Sequence, residues 1–181
     1  MKFKVQREAL LKPLQLVGNV VERRQTNPIF ANVLMRIKGN QITLTGSDSE
    51  VEMIASAKIE SSQDGDITLP ARKLMDLCKS LPEGSTLDVS VEKDKAVIRS
   101  GRSRFTLSTM SAAEFPEIEP GNLTSQFELT QQDLKYLLEQ TQFAMAQQDV
   151  RYYLNGVLLE VTDNSVTAVA TDGHRLASCT H

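Results

Sequence analysis

The chain has 181 residues, 40% apolar and 24% charged, with a formal net charge of −3. That composition fits a soluble globular protein of one or two domains and excludes one that coats nucleic acid through overall positive charge, while leaving room for local basic patches. No stretch approaches the ~20 apolar residues that span a bilayer, and the opening MKFKVQREALLK lacks the apolar segment of a signal peptide, so no membrane association and a cytoplasmic location are expected. Cys78 and Cys179 lie far apart without metal-site or disulfide-framework spacing, which predicts reduced thiols and no metal.

In chain order, residues 2–6 alternate as a short strand, and Glu8 to Val21 then places Leu10, Leu11, Leu14, Val17 and Val21 at helical spacing. After a polar stretch from Glu22 to Pro28, three alternating segments follow around Val33-Met35-Ile37, Ile42-Leu44 and Val51-Met53-Ala55. Turn signals at Gly39-Asn40 and Gly46-Ser47-Asp48 separate them. The same order then repeats. A strand from Asp66 to Leu69 leads into a helix that opens after Pro70, carries Leu74, Leu77, Cys78 and Leu81, and stops at Pro82-Glu83-Gly84. Strands around Leu87-Val89-Val91, Ala96-Val97-Ile98 and Phe105-Leu107 complete the second unit. From Ser111 to Ser125 periodicity fades, and Phe115-Pro116 and Pro120-Gly121 read as a linker. A third unit has a strand from Gln126 to Leu129, a T-x-x-D capping signature at Thr130 to Asp133, and a helix bearing Leu134, Leu137, Leu138 and Phe143. Strands around Val157-Leu159-Val161, Val166-Ala168-Ala170 and Leu176-Ser178 follow.

The three copies begin with matched pairs, Phe3 with Leu10, Ile67 with Leu74 and Phe127 with Leu134, seven residues apart each time. Self-similarity at about sixty residues marks a repeated supersecondary unit, here βαβββ, in an α+β fold. One such unit has a marginal core by itself, so two should pack as a domain, and the third calls for a fourth. The chain is therefore expected to be part of a longer protein.

Chemistry-bearing residues are sparse. His174 and His181 are the only histidines, and there is no Walker A sequence and no G-x-G-x-x-G after a strand. Asp48, Glu50 and Glu52 would share one strand face by alternation, superficially a divalent-metal cluster for a nuclease or nucleotidyltransferase; a solvated outer face explains them better. Helix charge is more informative. Arg7, Lys12, Arg23 and Arg24 outnumber Glu8 and Glu22 over the first helix and its exit, and Arg72, Lys73 and Lys79 outnumber Asp76 on the second, whereas Asp133 to Arg151 is slightly acidic. Two basic helices in an acidic protein suit phosphate attraction.

The opening MKF-x-V with LLKPL, then LTG-x-D, LPARK, SGRSRF-x-LST, A-x-FP, QDVRYYLNG and ATDGHRLA extend this reading over the whole chain. Together they resemble the β sliding clamp family, the processivity subunit of bacterial replicative DNA polymerases. The resemblance implies a DNA-clamp fold in which each protomer has three domains of two βαβββ halves and two protomers close head to tail into a ring. Helices line its hole and strands form its outside. Residues 1–120 would be the first domain, with units of about 1–60 and 61–110 and then a linker, and 121–181 the first half of the second. It implies no catalysis and no cofactor. Partners would be duplex DNA held topologically without sequence specificity, a second protomer and the clamp loader, with replicative and other polymerases and repair proteins binding through short linear peptides.

By the same resemblance, Arg24 and Gln148 would reach toward DNA with Arg72, Tyr152 and Tyr153 nearby. Leu154, Thr171, Gly173, His174, Arg175 and Leu176 would belong to the peptide pocket, and Lys73, Arg102, Arg104, Phe105 and Leu107 to the ring interface. The main rival is the metal-dependent nuclease or nucleotidyltransferase built on Asp48, Glu50 and Glu52, and a second is a protein-interaction scaffold that does not engage DNA.

Overall fold

The computed structural model describes residues 1–21, 27–118, 121 and 126–181. Residues 1–120 and 121–181 form two compact units.

In the first unit, strand β1 (Lys2–Gln6) buries Phe3 and Val5 and exposes Lys2, Lys4 and Gln6, as its period of two dictates. Helix α1 (Arg7–Val17) follows at once and buries Leu10, Pro13, Leu14 and Val17, one apolar stripe at i, i+3, i+4 and i+7. The helix ends four residues before Val21, the end its periodicity predicts. Gly18 and Asn19 are weak helix formers, and the last turn closes with the Gly18 amide on the Leu14 carbonyl at 2.9 Å and the Val20 amide on that of Val17 at 3.4 Å. Strands β2 (Asn32–Lys38), β3 (Gln41–Ser47) and β4 (Glu52–Lys58) form the meander, and β5 (Glu60–Gln63), which the sequence did not signal, continues beyond Ile59. Then come β6 (Gly65–Pro70), α2 (Ala71–Ser80), β7 (Thr86–Glu92), β8 (Lys95–Ser100) and β9 (Ser103–Ser108).

The two βαβββ copies interlock. One antiparallel sheet has the order β4-β3-β2-β6 and the other β5-β1-β7-β8-β9. The leading strand of each copy thus lies in the sheet of the other: Phe3 pairs with Val89 and Val5 with Leu87, while Val33 pairs with Leu69 and Met35 with Ile67. A single core joins both sheets and both helices through Phe3, Leu10, Leu14, Val33, Leu44, Leu69, Leu74, Leu87 and Ile98. Neither copy can close that core without the other's strand.

Ser111 to Ile118 is no free linker. Phe115 and Ala112 are buried with Ile29 and Leu34 in a second small core. Thr68 and Met110 exchange backbone hydrogen bonds, and Arg36 forms a two-pronged ion pair with Glu117, Nη2 to Oε1 at 2.6 Å. The docking was concealed because its apolar anchors, Ala112 and Phe115, form a single i, i+3 pair around the 3-10 turn Ala112–Glu114, cut short by Pro116 and too brief to show a periodicity.

In the second unit, Thr130 caps α3 (Gln131–Thr141) as the T-x-x-D signature predicts, its hydroxyl oxygen accepting from the Asp133 amide at 3.1 Å. Phe143 falls beyond the helix in a 3-10 turn at Gln142–Ala144 and is exposed, and Leu134 is also outside the core. Strands β10 (Leu158–Val161), β11 (Val166–Thr171) and β12 (Leu176–Thr180) form a three-stranded sheet in that order. Residues 126–129 are not a strand, and Phe127 is 50% exposed. The first unit explains this: a leading strand pairs with the sheet of a sister copy, and no sister sheet for residues 126–129 exists among the described residues. All four residues of β10 are exposed, whereas its counterpart β2, paired along its outer edge with β6, buries five of its seven.

Candidate nucleic-acid interface and docking turn

In the first unit, α1 and α2 pack side by side. Their buried stripes face the core, which leaves Lys12, Gln15 and Leu16 on α1 and Arg72, Met75, Asp76 and Lys79 on α2 to line an open groove of about 880 Å³. Three cations oppose one carboxylate there, and Leu16, 54% exposed, adds an apolar strip. Long basic side chains flanking a shallow groove can meet phosphates without reading bases. Arg72 is therefore part of this cationic surface. Arg24 lies outside the described residues. Lys73, next to Arg72, is exposed on α2.

The acidic cluster does not assemble. Asp48 to Val51 is a turn, not a strand face; the Asp48 carboxylate accepts from the amides of Glu50 at 2.9 Å and Val51 at 2.7 Å, and these bonds, that to Val51 foremost, lower its pKa. Glu52 opens β4 and accepts from the Ile118 amide at 3.1 Å. Among the described residues, no three His, Cys, Asp or Glu side chains converge as a metal site.

Strand β9 is the edge of its sheet, with Arg102 in the β8–β9 turn and Arg104 exposed on the strand. Phe105 and Leu107 are half-buried and pack against the main core, so the open side of β9 offers backbone and the Arg104 and Thr106 side chains instead of a bare apolar row.

The second unit gathers the other candidates on two neighbouring segments. Gln148 sits at φ +55°, a left-handed conformation uncommon for a residue with a side chain. Tyr152 and Tyr153 occupy a 3-10 turn (Tyr152–Leu154), 82% and 69% exposed, with their rings edge to face and centroids 6.1 Å apart. Strand alternation would bury one of them; the turn exposes both. Leu154 is half-buried and its carbonyl accepts from the Ala146 amide at 3.0 Å.

The turn between β11 and β12 is held by its own side chains. The Asp172 carboxylate accepts from the His174 and Arg175 amides, each at 2.9 Å, and from Arg175 Nε at 2.9 Å; Thr171 Oγ1 donates to the Arg175 carbonyl at 2.7 Å. The backbone bonds are the main cause that lowers the Asp172 pKa. Gly173, at φ +89°, makes the bend that a side chain would strain. His174, Arg175 and Leu176 project outward, Leu176 being 66% exposed.

One residue that the sequence did not single out joins these segments. Arg151 grips the Asp149 carboxylate through Nε at 3.1 Å and Nη2 at 2.8 Å, and Nη2 also reaches the Asp172 carbonyl at 3.4 Å. The guanidinium, followed by its backbone amide, pulls the Asp149 pKa down to about 2. Asn155 ties the loop behind it, accepting from the Asp149 amide and donating to its carbonyl, both at 3.0 Å. The Asp149-x-Arg151 spacing with Asn155 is the sole sequence trace of this arrangement.

Interlocked βαβββ copies with paired basic helices, followed later in the chain by a further helix and three-stranded sheet, have the architecture of a DNA clamp. The chain belongs to the DNA polymerase III beta subunit family: residues 1–119 match the model of the family's N-terminal domain and residues 128–181 that of its central domain. It is 57% identical over 182 residues to a beta sliding clamp from Pseudomonas putida, an alignment covering 99% of this chain and 49% of the relative. Against the Escherichia coli beta sliding clamp it is 49% identical over 180 residues, with the same coverage. The crystal structure of DNA polymerase III subunit beta from Pseudomonas aeruginosa superposes with a TM-score of 0.96 at 54% identity, covering all of this chain and 50% of that one. A sliding clamp from the same organism, bound to griselimycin, superposes equally well at 55% identity. The chain thus spans about half the length of the relatives it matches.

Proposed function

We propose that this protein is a DNA sliding clamp, a non-catalytic subunit that gives a replicative DNA polymerase processivity by encircling duplex DNA as a head-to-tail dimeric ring in the cytoplasm. Residues beyond these 181 would complete the second domain and the ring. The observation that carries the reading is the groove between α1 and α2, where Lys12, Arg72 and Lys79 stand exposed on helices whose other faces are locked into an interlocked core. Such a surface attracts phosphates yet carries too few cations for a fixed, tight complex, which suits sliding. Arg24, Gln148, Tyr152 and Tyr153 extend the DNA contact, the tyrosines offering stacking surfaces.

The ring would close along the β9 edge, with Lys73, Arg102, Arg104, Phe105 and Leu107 at or beside the contact. Leu154 and the 171–176 turn would receive short linear peptides of the clamp loader, polymerases and repair proteins, and griselimycin would bind there too. A tethered polymerase that releases DNA is then recaptured before it diffuses away. The test is the salt dependence of duplex binding by the full-length protein. Lys12→Ala with Arg72→Ala and Lys79→Ala should flatten the slope of log K against log salt by roughly one for each phosphate that is no longer neutralised. An unchanged slope and affinity would remove this groove from the DNA path.

A further inference from the structure

Arg151 occupies a position that neither candidate site accounts for. Behind it, Asp149 and Asn155 are cross-bonded into a closed loop that carries Tyr152 and Tyr153, with Gln148 at its left-handed entry. In front, Asp172 and Thr171 bond the turn to itself. Two locally rigid segments therefore face each other, and the Arg151 guanidinium lies between them. It holds both oxygens of Asp149 on one side and the Asp172 carbonyl on the other. The approach to the turn is close: a Cβ placed on Gly173 would lie 3.2 Å from Nη1 and 3.5 Å from Nη2. A planar fork with five donors can serve both segments at once; the ammonium of a lysine is a point donor and cannot reproduce that geometry.

We propose that Arg151 is a positioning residue that sets the 171–176 turn against the 148–155 loop and so links ligand occupancy of the turn to DNA contact by the loop. This rests on the clamp reading above. A ligand pressing on Gly173 or Leu176 displaces the Asp172 carbonyl, and the displacement passes through one side chain to the segment bearing Gln148, Tyr152 and Tyr153. The linkage is reciprocal, so DNA held on the loop alters affinity at the turn by the same factor.

The test uses the full-length protein as wild type, Arg151→Ala and Arg151→Lys, with griselimycin and a fluorescently labelled duplex as probes. In wild type, saturating duplex should change the griselimycin Kd by about fivefold, and in both variants by less than about twofold. Amide exchange at Gly173 and His174, measured without either probe, should quicken by roughly tenfold in Arg151→Ala while the rest of β11 and β12 keeps its protection. The same linkage factor in Arg151→Ala as in wild type, or no linkage in wild type, overturns the proposal, as does unchanged exchange at Gly173 and His174. If wild type binds neither probe while exchange responds as stated, the positioning role stands and the clamp reading falls.

Discussion

Gly46→Ala tests the packing that fixes α1, and with it Lys12, against the sheet. Gly46 lies in β3 opposite Met53 with an ordinary strand backbone, so alanine meets no conformational strain there. Its Cβ would, however, stand 2.5 Å from the Val17 carbonyl oxygen and 3.3 Å from the Val17 carbonyl carbon. Backbone at a helix end cannot swing aside as a side-chain tip can, so α1 must lift from β3. Overpacking of this kind costs about 1–3 kcal/mol, offset by roughly 0.4–1 kcal/mol from the reduced freedom of the unfolded chain. The midpoints of these ranges leave a net loss of about 1.3 kcal/mol, equivalent to a fall in Tm of roughly 4–8 °C for a unit of this size. Amide exchange of the most protected positions in β3 and α1 reads it without interference from the second unit. Because the oxygen and not the side chain is struck, Val17→Ala should give no rescue. Full stability of Gly46→Ala, or its restoration by Val17→Ala, would refute the reasoning.

Thr68→Val should loosen the docked segment 109–118: the hydroxyl, fully buried, donates to the Met110 carbonyl and accepts from Asn32 Nδ2, both at 3.0 Å. Stranding the buried amide of Asn32 costs about 1–3 kcal/mol, and faster proteolysis within 109–118 is the readout, with an unchanged rate counting against it. The Asp149 carboxyl, titrated by carbon NMR, should show an apparent pKa near 2, below its ordinary 3.8. A depressed folded pKa means the ion pair contributes stability above about pH 3.8 and loses it as pH falls toward about 2, so the loop should be indifferent to pH between about 5 and 9; a titration at or above about 4 would show that Arg151 is not its partner. Cys78, fully buried and pushed up to about 11 by burial, should resist alkylation at about pH 8 in the native protein and react once unfolded.

Much of the fold was legible because each unit obeys simple periodicities. Phe3 and Val5 alternate, Leu10 to Val17 recur at helical spacing, and Thr130 announces its helix. The exchange of leading strands was not legible. Phe3 pairing with Val89 and Ile67 with Met35 depends on which sheet each edge meets, and local pattern carries no record of that. The same long-range rule explains why Phe127 and Leu129 alternate like strand residues without forming one here. At the candidate sites, residue type foretold local geometry where one residue acts alone, as with the exposed Arg72 on α2 or the bend at Gly173. It failed for Asp48, whose carboxylate serves its own turn, and for Arg151, whose significance arises from two segments about twenty residues apart meeting in space.

The clamp reading is tested most directly by retention of the full-length protein on DNA of different topology. Loaded onto a nicked circular plasmid and passed through a sizing column at moderate salt, it should remain with the DNA, and a single restriction cut should release it as the ring slides off the ends. Equal retention on circular and linear DNA, or none on either after loading, would contradict encirclement.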